Sequence, residues 1–131
     1  MLFLYNIITL LAAQLLKIVA LFSPKMKLFV DGRKSVFQTL DNKIQSSDKT
    51  IWFHAASLGE YEQGLPVIEA IKQQFPTHKI VVTFFSPSGY EVRKNNTVAD
   101  VTVYLPLDTI SNAKQFIKLV HPEMAFFIKY E

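Results

Sequence analysis

Ser57 and Glu60 are the first residues of this chain whose types and spacing could do chemistry. They stand in the turn SLGE, directly after the apolar run TIWFHAA. A Ser-x-x-Glu pair forms a capping box, in which the serine oxygen accepts from the amide of residue 60 and the glutamate reaches back to the amide of residue 57. A glutamate at such a turn can also act as a general base, provided that it lies near a substrate hydroxyl and has a suitable pKa. The residues alone favour the cap and leave the base open.

Four apolar runs must position this turn. They begin at about residues 50, 79, 100 and 124 and read TIWFHAA, KIVVTFF, DVTVYL and MAFFIKY. Continuous apolar runs are typical of strands covered on both faces, and the segments between them are long enough for crossover helices. The sequence therefore predicts an α/β fold, with a parallel, right-handed β-α-β-α-β-α-β sheet and flanking helices.

The segments between the runs carry helix signals. Residues 60–75 show an apolar stripe at spacings of three and four, and Pro66 inside the stripe should kink the helix. Ser86 and Pro87 suit the start of a second helix. Asp108 suits the cap of a third, whose predicted apolar stripe is Ile110, Ala113, Ile117 and Val120.

The carboxyl ends of the strands are where ligands bind in an open parallel sheet, at the point where the strand order reverses. If the order is 3-2-1-4, the first and fourth strands are neighbours there. Glu60 and Glu131 would then face one crevice. The segments at this edge are residues 57–60, 86–89, 105–108 and 130–131.

The composition limits the number of domains and the other kinds of site that this chain could have. The chain has 131 residues, 50% of them hydrophobic, which suffices for one domain with a core and an appendage. The absence of cysteine excludes disulfides and a thiol nucleophile. The net charge of +3 is modest and gives no indication of nucleic-acid binding. No histidines and carboxylates stand at metal-ligand spacing, and His54, in mid-strand, is expected to be a packed, hydrogen-bonded histidine.

The N-terminal segment suggests a membrane. Residues 2–22 contain one charge, Lys17, and are long enough to cross a bilayer as a helix. The lack of a basic segment before the apolar run argues against a cleaved signal peptide. Basic residues after the run predict that the following domain stays cytoplasmic: they are Lys25, Lys27, Arg33 and Lys34.

Spanning is one of three possible arrangements of this helix. Its polar residues share one broad arc, which also suits a helix lying in the membrane interface: Asn6, Thr9, Gln14 and Lys17. A buried core helix of a soluble fold is the third. The predicted organisation is a membrane-anchor helix over 1–24, a basic segment and linker over 25–49, and an α/β domain over 50–131. Because the chain stops on a strand, we expect it to be a truncated piece of a longer protein.

Taken together, these stretches resemble a known family. HAASLGEYEQGLPVIEAI, VVTFFSPSGYE, VYLPLD and FFIKYE, with the apolar N-terminus and GRK at 32–34, are similar to the N-terminal half of the Kdo (3-deoxy-D-manno-octulosonic acid) transferases of lipopolysaccharide biosynthesis. The resemblance covers nearly all of the chain, and the order of the four strand-end motifs makes it specific. It implies a GT-B glycosyltransferase of the inner membrane, with two Rossmann-like domains on the cytoplasmic side. The first would bind the lipid A precursor and the second CMP-Kdo, so this fragment alone should be inactive.

The resemblance also assigns roles to residues. Glu60 matches the general base that deprotonates the acceptor hydroxyl in a single inverting displacement, and Glu131 matches a second functional carboxylate. Helix starts at the turns could hold a phosphate of the acceptor, with plain capping as the alternative. No metal and no cofactor is expected. The residues expected to bind the acceptor are Ser57, Gly59, Ser86, Ser88 and Gly89.

Two other functions stay open at this point. One is a membrane-tethered Rossmann-like or flavodoxin-like interaction module without catalysis, in which Glu60 only caps a helix. The other is a GT-B enzyme that acts on a different lipid-linked acceptor. A second domain with a nucleotide-binding crevice would distinguish an enzyme from the interaction module.

Overall fold

The structure is a computed structural model that describes residues 1–129. The predicted site residue Glu131 lies outside the described residues. The helices and strands within them are, in chain order, α1 (Leu2–Val19), α2 (Pro24–Asp31), α3 (Val36–Lys43), β1 (Thr50–Ala55), α4 (Leu58–Gln74), β2 (Lys79–Phe84), α5 (Pro87–Arg93), β3 (Val101–Tyr104), α6 (Ile110–Val120) and β4 (Pro122–Ile128).

The strands form one parallel sheet with the order β3-β2-β1-β4. This confirms the predicted α/β fold with a Rossmann-like parallel sheet, and the strand order assumed from the sequence is correct. Ala55, at the end of β1, lies opposite both Phe84 of β2 and Ile128 of β4. The carboxyl ends of these three strands are therefore level, and the segments that follow them meet at one edge.

Alternating side chains of the strands point to two separate cores. Ile51 and Phe53 of β1 pack with Tyr61 and Ile68 of α4 on one face of the sheet. Trp52, between them in sequence, points to the opposite face, where α3 and α6 lie. Both faces are covered over β1, β2 and β3, which explains why these strands read as continuous apolar runs.

The stretch predicted to be a basic segment and linker contains two helices instead, α2 and α3. Val36, Leu40 and Ile44 from this stretch are 0 to 5% exposed and belong to the core on the Trp52 face. A linker is therefore the wrong description of α3, which covers the sheet as α6 does. The limits of the domain, at residues 24 and 50, stay a prediction.

Helix α6 differs from its prediction in two respects. Thr109 caps it, accepting from the amide of Asn112 at 3.1 Å, while the expected cap, Asp108, accepts a hydrogen bond from Tyr5 instead. The buried side of the helix contains Phe116 and Val120, not the whole predicted stripe, whose members Ile110 and Ile117 are 44% and 49% exposed. Packing of Phe116 against the Trp52 ring, with centroids 4.8 Å apart, fixes this rotation of the helix.

Helix α4 begins at Leu58, two residues before the predicted start, and continues through Pro66 to Gln74. A kink at Pro66 stays a prediction. The N-terminus of α4 lies close to α5 because Gly89 has no side chain. A Cβ at residue 89 would stand 2.4 Å from Cδ1 of Phe84 and 3.1 Å from the amide nitrogen of Leu58. The start of α5 is thus held against both β2 and α4.

Replacing Gly89 with alanine should destabilise the protein. Alanine gains up to about 1 kcal/mol of helix propensity over glycine, but overpacking against a buried ring and a backbone amide costs roughly 1 to 3 kcal/mol. We expect a net loss of about 1 to 2 kcal/mol in the free energy of unfolding, measured by urea denaturation. Val92→Ala is the control, because Val92 lies on the same helix and is 59% exposed. Equal stability of the two variants would contradict the packing argument.

Candidate active site

Backbone hydrogen bonds join the segments after β1, β2 and β3 into one continuous edge. The amide of Ser86 donates to the carbonyl oxygen of Ala56 at 3.0 Å, which joins the segments after β1 and β2. The amide of Leu105 donates to the carbonyl oxygen of Phe84 at 2.8 Å, which joins the segments after β2 and β3. The predicted site residues Ser57, Gly59, Glu60, Ser86, Ser88 and Gly89 all stand along this edge.

Glu60 forms a capping interaction that differs from the predicted box in one bond. Ser57 is the N-cap of α4 and accepts from the amide of Glu60, at a long 3.5 Å. Oε2 of Glu60 accepts from the amide of Ala56 at 2.6 Å, not from that of Ser57 as the standard box requires. The reach of the glutamate is therefore one residue longer than predicted, and its carboxylate lies directly beyond the end of β1.

The second carboxylate oxygen of Glu60 has a different environment. Within residues 1–129, Oε1 accepts no hydrogen bond, and the residue is only partly buried. One oxygen thus fixes the orientation of the carboxylate while the other is available to a ligand. Capping and proton transfer are compatible in this geometry, because they use different oxygens of the same group.

The segment after β2 places two hydroxyl groups at the edge. Ser86 is the N-cap of α5, but its hydroxyl pairs with that of Ser88 at 2.7 Å and does not cap the helix. Gly89 is buried against Phe84, so the structure supplies a packing reason for this glycine. Contacts of these residues with an acceptor stay predictions.

His54 is a packed, hydrogen-bonded histidine, as expected. Its Nδ1 lies 2.9 Å from Oγ1 of Thr83, which also accepts from Nε1 of Trp52 at 2.8 Å. Burial lowers the pKa of His54 below its ordinary value, so the imidazole is neutral at pH 7. Among residues 1–129, no three histidine or acidic side chains lie close enough together to hold a metal ion.

Arg33 organises the edge from the side of α2. Its guanidinium donates three hydrogen bonds to carbonyl oxygens: Nε to Leu105 at 2.9 Å, Nη1 to Phe29 at 2.9 Å and Nη2 to Phe85 at 2.7 Å. It also stacks over the Phe29 ring, 3.7 Å from the centroid. Burial lowers the pKa of Arg33 to about 10, which leaves it protonated at neutral pH. One cation therefore ties α2 to the segments after β2 and β3.

The sequence indicated Arg33 as part of GRK and of the basic residues after the apolar run, with no role in the fold. Its carbonyl partners after β2 and β3 are 52 and 72 residues away in the chain, so no local pattern could reveal them. The glycine before it belongs to the same arrangement. A Cβ on Gly32 would stand 2.1 Å from the Tyr104 ring, so only glycine lets the end of α2 approach β3 this closely.

The fold and the edge define the class of this protein: a Rossmann-like α/β domain with a candidate ligand site beyond the carboxyl ends of its parallel strands. Comparison with known families then gives a specific assignment. Residues 31–131 match the N-terminal region of the family described as 3-deoxy-D-manno-octulosonic-acid transferase (kdotransferase). This match covers most of the chain, and the chain belongs to that family of glycosyltransferases.

Individual relatives agree with this assignment. The chain is 33% identical over 89 residues to the 3-deoxy-D-manno-octulosonic acid transferase of Aquifex aeolicus, a match that covers 67% of the chain and 24% of the relative. It is 35% identical over 83 residues to the enzyme of the same name from Haemophilus influenzae, a match that covers 62% of the chain and 19% of the relative. It is 28% identical over 101 residues to the enzyme of the same name from Chlamydia trachomatis, a match that covers 76% of the chain and 23% of the relative. The chain thus spans about a quarter or less of the length of these relatives.

Removal of the Arg33 side chain should destabilise the whole edge. Arg33→Met leaves three carbonyl oxygens without their charged donor, and we expect a loss of roughly 2 to 4 kcal/mol in the free energy of unfolding. Arg33→Lys should restore less than half of this, because an ammonium group cannot match the fork of a guanidinium.

Lys34→Met is the matched control for this series. Lys34 is 70% exposed and pairs with Asp31 on the surface, so its loss should cost well under about 1 kcal/mol. Urea denaturation measures all three variants. If Arg33→Met unfolds at the same urea concentration as Lys34→Met, the three bonds of Arg33 do not stabilise the edge.

Proposed function

We propose that the protein containing this chain transfers Kdo from CMP-Kdo to a lipid A precursor in lipopolysaccharide biosynthesis. In this proposal residues 50–131 bind the acceptor, on the cytoplasmic side of the inner membrane. Membership of the Kdo transferase family over residues 31–131 supports it. The donor, CMP-Kdo, is bound by a second domain of the whole protein, since the relatives are about four to five times longer than the matched region.

The proposed reaction is a single inverting displacement. The acceptor hydroxyl oxygen attacks the anomeric carbon of Kdo and forms the new glycosidic bond. The bond from that carbon to the phosphate oxygen of CMP breaks, and CMP leaves with the electron pair. Glu60 takes the proton of the attacking hydroxyl as general base. No metal and no cofactor takes part, and Glu131 is proposed as a second functional carboxylate.

The position and bonding of Glu60 carry this proposal. The amide of Ala56 orients its carboxylate through Oε2, at 2.6 Å. This leaves Oε1 to accept the substrate proton at the carboxyl edge of the sheet, where ligands bind in folds of this kind. The hydroxyls of Ser57, Ser86 and Ser88 and the first turn of α4 at Gly59 surround the same edge and are proposed to bind polar groups of the acceptor.

Glu60→Gln should separate catalysis from capping. The carbonyl oxygen of glutamine can still accept from the Ala56 amide, so the melting temperature of the whole protein should change little. Glutamine cannot accept the hydroxyl proton as a carboxylate does, and loss of a general base typically lowers the rate ~10²- to 10⁴-fold. Kdo transfer from CMP-Kdo to a lipid A precursor is the measurement.

Ser57→Ala is the complementary variant. It removes the cap and keeps the base, and because the Ser57 bond is long we expect a loss of only about 0.5 kcal/mol in stability. Its transfer rate at saturating acceptor should stay within a few-fold of that of the natural protein, while loss of the proposed Ser57 contact should raise the KM for the acceptor. Transfer by Glu60→Gln within the same range would mean that Glu60 is a cap and not a base.

A further inference from the structure

Helix α1 exposes a large apolar surface. It is 18 residues long, has a mean hydropathy of 1.9, and none of its residues is buried. Its length and composition would allow it to cross a membrane. Because none of its residues is buried, α1 is not a core helix of the domain that the structure describes.

Both ends of α1 lie against the α/β domain. Near the start, the Tyr5 hydroxyl donates to Oδ2 of Asp108 at 2.6 Å, and Oδ1 of Asn6 accepts from the amide of Ile110 at 3.4 Å. Toward the end, Leu16 and Lys17 line a groove of about 210 Å³ together with residues of α2 and the segment after β3. Eighteen helical residues extend about 27 Å. The helix axis therefore runs along the surface of the domain, whereas a spanning helix would touch the domain at one end only.

The two sides of α1 differ in exposure and polarity. The partly covered residues recur at spacings of three and four and include both polar residues of the first half of the helix: Asn6, Thr9, Ala13, Leu16 and Ala20. The opposite side has exposed leucine and isoleucine one or two turns apart. Leu4, Leu11, Leu15 and Ile18 are 59%, 65%, 61% and 57% exposed. This apolar side faces away from the domain over the full length of the helix.

Positive charge is concentrated where the C-terminal end of α1 meets α2. Lys17, Lys27 and Lys34 border one cavity beside α1 and α2, where the single acidic residue is Asp31. Asp31 pairs with Lys34, which leaves a net positive charge at this surface. The exposed apolar side of α1 and this positively charged surface near its C-terminal end both fit a bilayer that contains anionic phospholipids.

We propose that α1 lies in the plane of an anionic membrane surface, with Leu4, Leu11 and Ile18 inserted side by side and the domain against its other face. This inference rests on the membrane location in the proposed function and not on the chemistry of Glu60. It decides between the spanning and interfacial arrangements that the sequence left open. Because Asp108 follows β3, the contact with Tyr5 also brings the carboxyl edge of the sheet close to the bilayer.

These 131 residues contain no cysteine, and any cysteine elsewhere in the whole protein is first replaced by serine, so that single introduced cysteines report the depth of each position without a background. Leu4→Cys, Leu11→Cys and Ile18→Cys place a fluorescent label on the outward side, and Thr9→Cys and Ala13→Cys place it on the domain side. The whole protein is reconstituted from detergent into vesicles of phosphatidylethanolamine and phosphatidylglycerol. Quenching is compared between lipids that carry a nitroxide near the headgroup and lipids that carry it near the end of the acyl chain.

An in-plane helix predicts equal, shallow depths at residues 4, 11 and 18, with stronger quenching by the headgroup-side nitroxide at each. The labels at residues 9 and 13 should be quenched much less. A spanning helix would place residue 11 deepest, residues 4 and 18 near opposite surfaces, and would expose residues 9 and 13 to lipid; this pattern would overturn the proposal. Absence of quenching at all positions would overturn it as well. Kdo transfer by the same samples is measured separately, so that failure of the proposed reaction is distinguishable from failure of the in-plane arrangement.

Discussion

The partly buried guanidinium of Arg33 is the interaction on which the arrangement of this chain depends. Three carbonyl oxygens from different parts of the chain converge on it, and its charged donors bind all three at once. Phe29 covers the cation, and Gly32 allows the close approach of α2 to Tyr104. The carboxyl edge of the sheet and the N-terminal helices are thereby coupled through one side chain.

This coupling has a functional consequence. Contacts that hold α1, through Tyr5 and through the groove beside α2, end on the segment after β3, which Arg33 also binds. The segments after β2 and β1 are joined to it by backbone hydrogen bonds. The exposed apolar side of α1 and the carboxylate of Glu60 are thus parts of one connected layer, which suits the proposed transfer to a lipid-linked acceptor.

Much of the fold could be predicted because its causes are local. Apolar strands covered on both faces read as continuous runs, and Ser57 with Glu60 marks a helix start through its spacing alone. Contacts between distant segments account for the errors. Helix α3 was missed because only Val36, Leu40 and Ile44 of a polar stretch are buried, under a sheet that follows later in the chain. Asp108 was expected to cap α6, but Tyr5, 103 residues away, binds its carboxylate and Thr109 takes its place.

In the candidate site, too, features with local causes were predictable and those that depend on distant segments were not. The sequence located Glu60 at the strand end, while the bond from its carboxylate to Ala56 instead of Ser57 depends on the shape of the turn in three dimensions. The role of Arg33 was invisible for the reason that applies to Asp108: its partners are distant in the chain. Residues whose function is set by neighbours in sequence were predictable, and those whose function is set by tertiary partners were not.

The most direct test of the proposed base is a structure of the whole protein with a lipid A precursor and CMP bound. We expect the attacking hydroxyl of the acceptor within about 3.2 Å of Oε1 of Glu60, with Oε2 still bound to the amide of Ala56. An acceptor whose hydroxyl groups all lie beyond hydrogen-bond reach of Glu60, while the capping bonds are intact, would contradict the account.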